Sequence, residues 1–164
     1  MFVRAKIVKE KQYAYLVEND WAKGKVKQKV KKYLGRILSI EDISQENTFP
    51  KIDFSLDKKE YIKQIVATEF FKKGFFLEKN FLLNGEIKIS LTTGKITNNK
   101  KDVVLFINER YLYKDLLESL LDFFQPEAEE DTKGKKLATA FSDAGISIAP
   151  EHFVSLYKKI YLSK

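Results

Sequence analysis

Residues 2–36 read FVRAKIVKEKQYAYLVENDWAKGKVKQKVKKYLGR, and almost every second residue changes character. In residues 2–8, Val3, Ala5 and Ile7 alternate with Phe2, Arg4, Lys6 and Val8. In residues 12–18, Ala14 and Leu16 alternate with Tyr13, Tyr15 and Val17. In residues 25–33, Lys25, Lys27, Lys29 and Lys31 alternate with Val26, Gln28 and Val30. Period two predicts half-buried strands. Glu10-Lys11 reads as a short turn and Asn19 to Gly24 as a polar loop holding Trp21. A helix over 25–34 is the competing reading, but it would ring its axis with lysines and leave Val26 and Val30 as a thin stripe. Three successive strands with short connections predict an antiparallel meander. Its small apolar side chains would form one face. Arg4, Lys6, Tyr13, Tyr15, Lys25, Lys27 and Lys29 would form the other.

Charge singles out the same segment. Residues 1–36 hold 11 basic and 3 acidic side chains, a balance of +8, whereas the other 128 residues hold 19 basic and 20 acidic. A merely lysine-rich composition would spread this excess along the chain. Its confinement predicts a local site for a polyanion. Lysine and arginine neutralise phosphates and release counterions, and tyrosine or tryptophan rings stack on bases. The expected nucleic-acid-binding residues are Arg4, Lys6, Lys11, Tyr13, Tyr15, Trp21, Lys23, Lys25, Lys27, Lys29, Lys31, Lys32 and Arg36. Gln28, a possible base reader, is expected to point inward. Trp21 carries a second reading, as a loop anchor in a core.

Beyond residue 39 the pattern changes. Residues 40–56 lack a clear period and read as a linker. Residues 57–73 predict a helix stopped by Gly74, and Asn84-Gly85 predicts a hairpin between Phe75–Leu83 and Glu86–Leu91. The apolar run Val103–Ile107 predicts a buried strand. Helices are expected over about 112–124, ended by Pro126, over 134–144 with Gly145 as C-cap, and from Pro150 to about Tyr161. Residues 127–131 read as an acidic loop. The expected fold is α+β. A basic three-stranded antiparallel sheet (1–39) precedes an α+β domain (57–164) with a hairpin and about four helices. That second domain would act as a scaffold, a homodimer interface or a site for a protein partner, its many phenylalanines forming chiefly a core.

Several function classes are disfavoured. The chain has no cysteine and one histidine, His152, expected at the surface or as a cap. This argues against a structural zinc site and the common nucleophile–base pairs. Thr93-Gly94-Lys95 lacks the other glycines of a phosphate loop. Asp102, Glu109, Asp115 and Asp122 leave carboxylate-and-magnesium catalysis as a distant third reading. No cofactor and no enzymatic activity are expected. The N-terminus lacks a signal peptide's apolar core, and no run reaches the ~20 apolar residues of a membrane span. A cytoplasmic protein with no membrane partner is expected.

KQYAYLVENDWAKGKVKQKVKKYLGRI, residues 11–37, resembles the N-terminal segment of DDE-type insertion-sequence transposases. The resemblance rests on Tyr13, Tyr15, Leu16, Val17, Glu18, Gly24, Lys25, Val26, Gln28, Leu34 and Gly35, with Lys27 where those proteins commonly carry arginine. It implies a DNA-binding segment without transposition chemistry, since the remaining chain is too short for the catalytic domain. Leu137, Ala138, Ala140, Phe141, Ala144, Gly145 and Ile146 resemble a pattern in small uncharacterised archaeal proteins and imply no activity. The expected function is a non-enzymatic DNA-binding protein, a regulator or chromatin-associated factor. Recognition of RNA, or association with ribosomes through the same face, is the alternative.

Overall fold

A computed structural model describes residues 1–43, 49–124, 127 and 129–162. Three strands open the fold, β1 (Phe2–Val8), β2 (Lys11–Ala22) and β3 (Lys25–Ser39). The connections are two-residue turns at Lys9-Glu10 and Lys23-Gly24, and all four residues have positive φ, from 49° to 71°. Such turns match the natural twist of a hairpin. Lys11 therefore belongs to β2 rather than to a turn. Asn19 to Ala22 extend β2 rather than forming a loop, because the turn at Lys23-Gly24 pairs Ala22 with Lys25.

Helix α1 (Lys58–Phe71) is capped by Asp57, whose Oδ1 accepts from Glu60 N at 2.9 Å. A meander follows: β4 (Phe76–Glu78), β5 (Phe81–Asn84), β6 (Ile87–Ser90), β7 (Ile96–Asn98), β8 (Lys101–Ile107) and β9 (Arg110–Leu112). The hairpin at Asn84-Gly85 forms one residue later than expected, with Gly85-Glu86 as its loop and Asn84 paired to Ile87. Positive φ at Lys79 splits the expected strand 75–83 into β4 and β5. Helices α2 (Lys114–Leu121), α3 (Glu130–Ala144) and α4 (Pro150–Tyr157) complete the chain, the last continuing into a π-helical turn over Lys158–Leu162. Helix α3 starts four residues before the expected 134. Glu130 and Asp131, expected in an acidic loop, form its first turn, where carboxylates meet the positive end of the helix dipole. Gly145 caps α3 and Pro150 opens α4, as the sequence indicates. The expected stop at Pro126 lies outside the described residues.

The architecture is mixed α+β, but the two parts are not a small sheet followed by a separate hairpin domain. Strand β3 pairs in parallel with β8, Arg36 opposite Val103 through Ser39 opposite Phe106. One nine-stranded sheet results, in the order β1-β2-β3-β8-β7-β6-β5-β4, with β9 also on β8. Val103, Leu105 and Ile107 turn one face of β8 into the main core, with Ile62, Phe70, Leu117 and Phe141. Val104 turns the other way, into a smaller cluster with Ala14, Leu34 and Ile37. Gly35 permits the junction. Its φ is 127°, and a Cβ there would stand 2.4 Å from the Asp102 carbonyl oxygen. Only glycine lets β3 pass so close to β8 at that backbone angle.

Strand β1 pairs with β2 only as far as Phe2 opposite Val17, and β8 meets β3 only from Arg36 onward. Between these limits, residues 18–30 form a two-stranded arm. All of its side chains are exposed apart from the half-buried Glu18. Five residues of strand give it a reach of about 16 Å.

Candidate nucleic-acid interface

Residues directly opposite one another across antiparallel strands share a face. The register therefore sorts the N-terminal sheet into rows. On one face the rows are Lys6–Tyr13–Arg36, Arg4–Tyr15–Tyr33, Phe2–Val17–Val30, Asn19–Gln28 and Trp21–Val26. On the other they are Ala5–Ala14–Gly35, Val3–Leu16–Lys32, Glu18–Lys29, Asp20–Lys27 and Ala22–Lys25.

This overturns one expectation from the alternation. Arg4, Lys6, Tyr13 and Tyr15 do not share a face with Lys25, Lys27 and Lys29. The lysines continue the face of Ala14 and Leu16, and the tyrosines continue into Val26 and Val30. The two-residue turn at Lys23-Gly24 sets the phase of β3 against β2 and places Lys25, Lys27 and Lys29 opposite Ala22, Asp20 and Glu18. Two register shifts farther along, at Leu16/Val17 and Ala14/Tyr15, then move the pairing by one residue each and decide which face Tyr33 and Arg36 join. Each one-residue shift exchanges the faces of everything beyond it.

The lysine face is partly neutralised. Asp20 lies opposite Lys27 and Glu18 opposite Lys29. Lys31 Nζ lies 2.7 Å from Glu18 Oε2. The lysine's hydrogen bond and charge hold the Glu18 carboxyl below its usual range, and Glu18 raises Lys31 in return. Lys32 Nζ lies 2.9 Å from Asp115 Oδ2 on α2, which raises the Lys32 pKa. Among the described residues, Lys23, Lys25, Lys27 and Lys29 take no part in an ion pair within 4.0 Å. Residues 18–32 carry six lysines against two acids, a balance of +4.

The aromatic face is different. Its rows contain Arg4, Lys6 and Arg36, with Lys11 opposite Val8 at their end, and no carboxylate. Tyr33 stands between the other phenols, its ring centroid 5.3 Å from that of Tyr15 and 6.4 Å from that of Tyr13. Burial, then the neighbouring Tyr13 and Tyr15, push the Tyr33 phenol above its ordinary range, so it stays neutral at physiological pH. Arg4 Nη1 donates to Gln28 Oε1 at 2.7 Å. That bond joins β1 to β3 across β2. Gln28 is therefore on the exposed face and not inward as expected. Trp21 is 76% exposed at the arm's end, which excludes the core-anchor reading. Beside Tyr13 and Tyr33 a cleft of about 620 Å³ opens between this face and the β7–β8 turn.

All thirteen expected binding residues thus lie on one sheet, but on two surfaces. Tyr33, Asn99 and Lys101 escape the sequence reading. Tyr33 ends the alternating stretch 25–33 and reads with the closing residues of the segment, and the β7–β8 turn reaches the sheet only through the β3–β8 ladder.

Elsewhere, several polar groups that could carry chemistry are already engaged. A cavity of about 750 Å³ is bordered by Glu69 and His152. Glu69 Oε1 accepts from Asn108 Nδ2 at 2.7 Å and Glu69 Oε2 from Ser147 N at 3.3 Å. His152 is no plain surface or capping residue. Its Nδ1 lies 2.6 Å from Tyr61 Oη, and its ring stacks on Phe54 at 5.0 Å. Of the four acids considered for metal-assisted catalysis, Asp115 pairs with Lys32 and Asp122 with Lys59 at 3.3 Å. Among the described residues no three His, Asp or Glu side chains gather as a metal-binding group. No described helix is long and apolar enough to cross a membrane.

Compared with known proteins, the chain matches no family model, and no curated protein or solved structure is significantly similar to it.

Proposed function

We propose that the protein is a cytoplasmic, non-enzymatic DNA-binding protein, a regulator or chromatin-associated factor, that holds duplex DNA with its N-terminal arm. The observation that carries this reading is the projecting two-stranded ribbon over 18–30, with Lys25, Lys27 and Lys29 in successive rows along one face. A two-stranded ribbon fits a B-DNA major groove, about 12 Å wide. The deep, narrow major groove of duplex RNA does not admit side chains in that way, which favours DNA over RNA. Lys23 in the turn and Lys31 and Lys32 at the base extend the same cationic strip toward phosphates. Glu18 and Asp20 limit repulsion among the lysines and still leave residues 18–32 at +4. The resemblance of residues 11–37 to transposase N-terminal segments points the same way. The helical body would then serve as scaffold or as the surface for a homodimer or protein partner.

The test is fluorescence anisotropy on duplex DNA and duplex RNA, at about 50 and about 200 mM salt, with the wild-type chain and the variant Lys25→Glu/Lys27→Glu/Lys29→Glu. The wild type should bind duplex DNA with a steep loss of affinity as salt rises. Each lysine that meets a phosphate contributes about 0.9 to the logarithmic salt slope, so the triple variant should flatten it by about 2.7. A variant that keeps its circular dichroism spectrum and binds as tightly as wild type would remove the proposal.

A further inference from the structure

The lysine face accounts for the arm but leaves the tyrosine face unexplained. A sheet face that only packs against itself has no need of an open ring, yet Tyr33 is 54% exposed in the middle of three phenols. A cationic face that only confers solubility has no need of aromatics between its charges. Here the rows interleave them: Tyr13 stands between Lys6 and Arg36, and Tyr15 between Arg4 and Tyr33. The cleft at the end of these rows adds Lys11 on one side and Asn99 and Lys101 on the other. The acidic residue at the cleft is Asp102, which stands close enough to Lys32, on the opposite face, to help Asp115 raise that lysine's pKa.

We propose that this face is a second nucleic-acid surface that takes unpaired nucleotides, with bases stacked on Tyr33 and its neighbours Tyr13 and Tyr15 and phosphates held by Arg4, Lys6, Lys11 and Arg36. The proposal rests on the reading that the N-terminal sheet binds nucleic acid, and it names the substrate class of the other side of that sheet. Bases inside a duplex are stacked on one another and offer no free face to a tyrosine. Bases of a single strand do, and stacking of this kind tolerates any sequence. The charge pattern agrees, because four cations against the single carboxylate of Asp102 at the cleft suit a flexible polyanion laid along the face. With the lysine face on duplex and the tyrosine face on a single strand, the sheet would sit where a duplex opens.

The experiment compares binding of a labelled single-stranded oligonucleotide and of its duplex to the full chain, for wild type, Tyr33→Ala, Tyr33→Phe and Arg4→Glu/Arg36→Glu. The Tyr33→Ala variant should lose about tenfold in single-strand affinity and keep duplex affinity. Tyr33→Phe retains the ring and should bind like wild type. The double arginine variant should lose single-strand affinity and flatten its salt dependence. Single-strand binding unchanged in Tyr33→Ala and in the arginine variant overturns the proposal. So does an equal loss on single strand and duplex, which would mean one shared surface. Failure of the wild type to bind either nucleic acid overturns the arm reading as well. Duplex binding that survives the loss of any single-strand binding leaves the arm reading intact and removes this one alone.

Discussion

Lys73 and the arm lysines are the same side chain in opposite circumstances. Lys73 is 2% exposed at the end of α1. Its Nζ lies 2.5 Å from Asp42 Oδ1, 3.3 Å from Glu69 Oε1 and 3.4 Å from Asn108 Oδ1. Asn108 in turn donates to Glu69 and to the Gly145 carbonyl, so one network ties the chain after β3, helix α1, the β8–β9 turn and the end of α3. Lys25, Lys27 and Lys29 stand in water, with two acids across the ribbon and an excess of charge left over. The body satisfies its cation internally and gains a fixed geometry. The arm leaves its cations exposed to solvent. A count of lysines does not distinguish the two cases. What distinguishes them is the supply of acceptors around each one.

That contrast can be broken most forcefully at Glu69. Glu69→Ala removes one of the two carboxylates at Lys73 and leaves Asn108 and Ser147 N short of an acceptor. Removing one partner of a buried pair costs about 3–5 kcal/mol. Chemical denaturation should show that loss, and Lys27→Ala, on the open surface, should stay within about 0.5 kcal/mol. Equal effects of the two variants would erase the distinction. Gly35→Ala comes next. It forces a left-handed backbone angle on a residue with a side chain and drives its Cβ into the Asp102 carbonyl, at a cost of about 2 kcal/mol. Because Gly35 sits where the arm-bearing sheet meets β8, hydrogen exchange should quicken in residues 34–39 and 101–106 more than in α3. Uniform quickening would mean that arm and body are less separable than their lysines suggest.

Much of this contrast is visible in the amino-acid order, for definable reasons. The three N-terminal strands, the buried strand at Val103–Ile107, the cap at Gly145 and the start at Pro150 follow from local signals, namely period two, an apolar run, a left-handed glycine and a proline at a first turn. Three features do not. The faces of β3 depend on the turn occupying only Lys23-Gly24 of the polar stretch Asn19 to Gly24 and, beyond Val30, on two register shifts, so alternation shows that Lys25, Lys27 and Lys29 lie together but not what lies beside them. The parallel ladder between β3 and β8 joins segments more than sixty residues apart with no local trace. Asn108 enters the network only because the turn Asn108-Glu109, with both φ positive, brings it toward Glu69. In the candidate site, composition located the sheet and its residues, whereas pairing divided them into two surfaces.

The smallest effect is the most selective, because it acts on the lysine face without touching a lysine. Glu18 and Asp20 oppose Lys29 and Lys27, and exposed pairs of this kind contribute only about 0.2–1 kcal/mol to stability. Glu18→Gln/Asp20→Asn should therefore leave the denaturation midpoint nearly unchanged. It should also free Lys31 from its 2.7 Å contact with Glu18 and raise the balance of residues 18–32 from +4 to +6. Duplex affinity at low salt should then increase by a few-fold and its salt dependence should steepen, because more cations are free to displace counterions. Single-strand affinity, carried by the face opposite Glu18 and Asp20, should move far less. A variant that strengthens both equally would show that the field of the whole sheet, and not the chemistry of each face, governs what it binds.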